Sequence, residues 1–176
     1  MAICLLGFCV QTTYAAENGI YDAIFSSDNG DCPVFVADHT PSNKGLNGLV
    51  EWSASEFARL LSMDLATAQA LVDENKTSHT LNWQPRNPKI HLIEFPDDTD
   101  MQAKYNILTK LRKEHACVHT IYSASAPGLS AAGNDAMMMV HRFCGAICGG
   151  GDDILHLHKD EAGHWAIAGW HMMSIN

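Results

Sequence analysis

Positive charge is scarce in this chain: 11 Lys and Arg stand against 20 Asp and Glu, giving a formal net charge of −9. Binding phosphates takes a dense Lys/Arg surface, and no basic cluster is present, which argues against nucleic acid or anionic membrane as a partner. Long hydrophobic runs are lacking too. Ala2–Val10 is nearly all apolar, but its nine residues fall well short of the roughly 20 that a membrane-spanning helix needs. No phosphate-cradling glycine motif is found, because Gly149-Gly150-Gly151 runs into Asp152 and Asp153, which would repel an anion. A zinc knuckle is disfavoured, since no second cysteine pair with ligand spacing accompanies Cys144 and Cys148.

What is present describes one exported domain. Apolar residues make up 47% of 176, enough for a single core and too short a chain for two ordinary ones. After Ala2–Val10 come polar Gln11-Thr12-Thr13 and then Ala15-Ala16, small residues that suit signal-peptidase cleavage. Residues 1–16 are therefore read as a signal peptide and 17–176 as the domain, placed in the periplasm or outside the cell. No Lys or Arg precedes the apolar stretch, and the competing reading is a buried N-terminal strand or helix. Cleavage removes Cys4 and Cys9, so six cysteines become four: Cys32, Cys117, Cys144 and Cys148. An even count in an exported chain points to disulfides. The favoured pairs are Cys144–Cys148, closing a small ring, and Cys32–Cys117, tying distant segments; buried free thiols are the alternative for the latter two.

Periodicity and punctuation give the elements. Residues 17–31 read as polar and irregular, Pro33–Asp38 as a strand and Thr40–Gly48 as a loop. Ser53-Ala54-Ser55-Glu56 is a capping box opening a helix at Phe57, and Asp64 caps a second helix carrying Leu65, Ala68, Leu71 and Val72. Ile90–Phe95 is a strand stopped by Pro96. Asp100 opens a long helix with Met101, Tyr105, Leu108 and Leu111 on one stripe. Cys117–Ser123 is extended, residues 127–134 form a turn region, and Ala136–Phe143, Ile154–Lys159 and Trp165–Met172 are strands, the last two joined by a hairpin around Gly163. The expected class is α+β, with helices on one face of an antiparallel sheet that ends in a three-strand meander.

Ser123, the Gly133-Asn134-Asp135-Ala136 turn, Cys144-Gly145-Ala146-Ile147-Cys148-Gly149-Gly150-Gly151, Gly163-His164-Trp165 and Ser174 resemble a group of uncharacterised secreted bacterial proteins with a C-terminal Cys/Gly loop. The likeness spans about a third of the chain, roughly residues 122–174. It implies export and a hairpin-rich ending, and it carries no activity, cofactor or catalytic residue with it. His156 and His158 depart from that group's pattern.

Histidine supplies the first chemical candidate: five of ten fall between His141 and His171. On a strand His156 and His158 point to one face, and His141 joins them if its strand pairs in register. Such a set would hold Zn²⁺ or Cu²⁺, with Asp152 or Asp153 as an oxygen ligand; a solvated edge face is the plainer reading. A thiol hydrolase would take Cys32 as nucleophile and His164 as base, an arrangement that distantly resembles papain-like cell-wall peptidases. Those open a helix at the cysteine, whereas Cys32 precedes Pro33 and a β-branched run. The expected function is accordingly an exported binding or interaction module without catalysis, whose partner is a small molecule or a protein. A divalent-metal binder and a thiol hydrolase are the alternatives.

Overall fold

A computed structural model describes residues 18–26, 30–41, 53–96, 100–145 and 150–175, and for Ser174 and Ile175 the backbone only. The expected signal peptide at 1–16 and most of the loop after residue 40 lie outside that range. Within it the chain forms four helices and seven strands. Helix α1 covers residues 18–25, followed by β1 (Val34–Ala37), α2 (Ala54–Leu61), α3 (Leu65–Glu74), β2 (Ile90–Ile93) and α4 (Met101–Glu114). The strands β3 (Ile121–Ala124), β4 (Gly128–Leu129), β5 (Asp135–Phe143), β6 (Gly151–Lys159) and β7 (Trp165–Ile175) complete it.

All seven strands join one sheet ordered β2-β1-β3-β5-β6-β7, with β4 pairing the start of β5. The terminal β5-β6-β7 meander is antiparallel, as expected. The remainder corrects the expectation, because β1 runs parallel to both β2 and β3 and the sheet is mixed. Each of those parallel connections contains helix, which is what a parallel pairing demands.

The placing of helices on a single face is also corrected. Side chains alternate across β5, so Ala136, Met138 and Val140 face one way and Met137 and Met139 the other. The first set packs with Ile20, Tyr21 and Phe25 of α1 and with Trp83. The second packs with Phe57, Ala68 and Leu71 of α2 and α3. Helix α4 covers that same second face further along, where Leu108 and Leu111 meet Phe35, Ile121 and Phe143.

The helix starts follow from their caps. Ser53 and Glu56 form the reciprocal capping box of α2, and Asp64 and Asp100 accept the amides of Thr67 and Ala103, each at 2.9 Å. Asn75 ends α3 and is fully buried. Its amide group donates to the carbonyls of Leu71 at 2.7 Å and Ala126 at 2.9 Å, and its Oδ1 accepts from the Ala126 amide at 2.8 Å. One side chain thereby closes the helix and clamps the segment entering β4.

Beside that clamp the helix backbone presses on the sheet. A Cβ built on Gly128 would lie 2.3 Å from the Leu71 nitrogen and 2.5 Å from the Thr67 oxygen. At the start of the sheet Cys32 and Cys117, 85 residues apart, form the expected disulfide and tie the entries of the parallel neighbours β1 and β3. Cys144 is disulfide-bonded as well, to a partner outside the described residues, where Cys148 also falls.

Three outcomes are expected in urea unfolding. Gly128→Ala should cost about 3 kcal/mol or more, because backbone atoms cannot step aside. Gly133→Ala, at φ +70° with open space around it, should cost only about 1–2 kcal/mol; equal losses would contradict the close packing. Replacing Cys32 and Cys117 by serine should lower stability by about 2–4 kcal/mol, since it frees a long loop in the unfolded chain.

Candidate functional site

Strand register decides which histidines meet. His141, His156 and His158 do share a face, but His156 stands opposite Met137 and His141 opposite Asp152. Four residues separate Met137 from His141, or about 13 Å along a strand. The three imidazoles consequently belong to two places. His141 Nδ1 lies 2.7 Å from Oδ1 of the fully buried Asp152. At the far end of β5, Asp135 Oδ1 takes both His156 Nε2 and His158 Nδ1, each at 2.9 Å. Asp153 points to the opposite face, paired with Arg142 at 2.9 Å. Among the described residues no group of three or more His, Cys, Asp or Glu is arranged to hold a metal ion.

The thiol pair is not brought together either. The sulfur of Cys32 is in a disulfide, which removes the nucleophile from the hydrolase reading. Cys32 sits where β1 enters the sheet, near the end of β5, whereas His164 lies in the β6–β7 turn at the opposite end. There His164 is exposed, and its amide donates to Asp160 Oδ1 at 2.8 Å.

Register also builds a row that the sequence did not announce. Ser123 stands opposite His141, and His141 opposite Asp152, so serine, histidine and aspartate lie side by side on three adjacent strands. On this face the row separates the α2/α3 cluster, ending at Met139 and Ile154, from the α4 cluster, starting at Ile121 and Phe143. No hydrogen bond joins Ser123 to His141, so the link through which an imidazole takes a hydroxyl proton is not made. On the opposite face Tyr122 faces Arg142, and burial pushes its hydroxyl up from the ordinary tyrosine value.

A concavity lies elsewhere, beyond the carboxyl ends of the parallel strands β1 and β2. It is an open cleft of about 660 Å³. Asp38 and His39 follow β1 directly, Glu94, Phe95 and Pro96 follow β2, and Ala103 and Ile107 close one wall from α4. Backbone bonds fix the rim. The Asp38 amide donates to Ile93 O and its carbonyl accepts from Leu81 N, both at 2.8 Å, and His39 bridges Thr80. His39 Nδ1 meets Asp38 Oδ1 at 2.8 Å. Sequence reasoning missed this cleft, although its signal was present: an acidic residue directly after each of two short apolar strands. A smaller hollow of about 260 Å³ lies beside the Cys32–Cys117 disulfide and Tyr122.

No protein-family model, no curated protein and no solved structure matches the chain.

The histidine-bracketed Asp135 makes a signed prediction. Hydrogen bonds from His156, then His158, hold its carboxyl below the ordinary carboxylate range. With the folded value lowered, the unfolded chain takes up the proton first as pH falls. Asp135 therefore adds stability that is complete above about pH 4 and fades as pH drops through the folded value. Asp135→Asn should be less stable than the parent near about pH 6, with the gap narrowing towards about pH 3 in urea titrations. A gap that does not change with pH would count against the assignment.

Proposed function

We propose that this chain is an exported binding module, without catalysis of its own, that holds a small molecule in the cleft beyond β1 and β2. The observation that carries this reading is the cleft's position. In open sheets with parallel strands, ligands settle in the crevice outside the carboxyl ends of the strands. Here both strands are short, β1 is buried throughout, the residues that follow each strand line the crevice, and a helix wall completes it. The volume lies within the usual range for small-molecule sites, about 300–1,000 Å³. Export is supported by the Cys32–Cys117 disulfide, a bond that persists in oxidising compartments.

The walls suit recognition more than chemistry. Phe95 and Ile107 offer apolar contact, and Thr80, Asp38 and Glu94 offer hydrogen-bonding groups on anchored backbone. Such a mixture orients a ligand and excludes water from one side of it.

A small-molecule screen by amide chemical shifts would test this reading. Ligands should move the amides of Asp38, His39, Glu94 and Ala103, and Ala103→Trp, which fills the cleft from α4, should abolish those shifts while the fold persists. Hits that leave these amides still and bind Ala103→Trp undiminished would defeat it.

A further inference from the structure

We infer that the ligand of this cleft is an amphipathic cation, a primary ammonium or guanidinium joined to an apolar body. The inference rests on the cleft being the binding site and adds the chemical class of its occupant. Three features of the lining point that way.

Apart from the His39 imidazole, which is paired with Asp38, the ionisable groups on the described lining are carboxylates. Asp38 and Glu94 supply two carboxylates, and no Lys or Arg among the described residues lines the cleft. Asp38 spends Oδ1 on His39 Nδ1, and Oδ2 makes no hydrogen bond with any described residue. Glu94 is exposed at the rim and makes no ion pair with any described residue.

The cationic features nearby are already engaged. Lys104 sits one residue from Ala103 yet is buried, with its ammonium 5.4 Å from the Phe95 ring centroid and 5.9 Å from that of Phe143. Helix α4 points its N-terminus, the partial positive end, towards this region. There Asp100 accepts the Ala103 amide at 2.9 Å, so a full negative charge already sits against that partial positive one. An entering anion would meet two carboxylates and find its best donors occupied.

Beside these carboxylates, His39 and Thr80, the wall is apolar: Phe95, Pro96, Ala103 and Ile107. A compact inorganic cation would leave that surface uncovered, whereas an organic cation covers it while its head reaches the rim. A carboxylate-lined cleft on a chain of net charge −9 also draws cations inward over a distance, an effect that salt removes.

The test uses three probes with one aromatic body: 2-phenylethylammonium, 2-phenylethanol and 3-phenylpropanoate, titrated near neutral pH while cleft amides are followed. The ammonium should bind about tenfold or more tightly than the alcohol, and the carboxylate should bind least. Glu94→Gln should remove most of that preference without altering thermal stability, since Glu94 bonds nothing described; Asp38→Asn should remove the remainder. Raising salt to about 0.5 M should weaken the ammonium and leave the alcohol unchanged. If the alcohol or the carboxylate moves the cleft amides as readily as the ammonium, the cationic class is overturned while the cleft stands. Ammonium binding unchanged in both variants overturns it too. If no probe moves a cleft amide, the binding reading fails and this inference goes with it.

Discussion

Everything else is arranged around a strand with neither a free edge nor a free face. From Ala136 to Val140 every residue of β5 is buried, including three consecutive methionines. Its edges are taken by β6 on one side and by β4 and then β3 on the other. Where β3 gives way to β4 a ladder could lapse. Ser125 bridges that gap, its amide donating to Met139 O and its Oγ accepting from Met139 N, both at 2.9 Å. Both faces of such a strand must be roofed, and this is why helices lie on both sides of the sheet. Unbranched methionine suits the task, because it adapts to two differently shaped roofs.

The parts most readable in the sequence were those ruled by local chemistry. The capping box at Ser53, the caps at Asp64 and Asp100, the hairpin at Gly163 and the terminal meander all rest on a few neighbouring residues, and all are present. What went unread depended on distant partners. Residues 18–25 carry Ile20, Tyr21, Ile24 and Phe25 at helical spacing, but Asn18, Gly19 and Asp22 dilute the stripe. Strand β4 has two residues and exists because α3 lets Gly128 approach. The parallel pairing was legible in principle: strand, helices, strand, helix, strand is the order that builds parallel neighbours. The long antiparallel ending outweighed it.

The same division runs through the candidate sites. Alternation correctly put His156 and His158 on one face, since period two is a property of any strand. Their partner could not be read the same way. Asp135 reaches them from the neighbouring strand, and pairing register is set by the whole β5–β6 ladder. The cleft was hidden for a related reason. Asp38 and Glu94 look like ordinary chain-turning residues until β1 and β2 are known to be parallel neighbours, whose carboxyl ends open on the same side.

Register has its own guardian in the row of Ser123, His141 and Asp152. Asp152 is wholly enclosed, and an enclosed carboxylate without a partner is costly. In the native register His141 supplies that partner at 2.7 Å. Sliding β6 by one residue would carry Asp152 to the other face, away from the imidazole, and would bring Arg142 and Asp153 apart at the same stroke. The flanking apolar pairs discriminate less, because Met139 against Ile154 or Leu155 buries similar surface. A polar pair of modest net stabilising value thus penalises the neighbouring registers far more than it favours its own. The consequence reaches to the other end of the ladder, where the same alignment sets His156 and His158 on either side of Asp135.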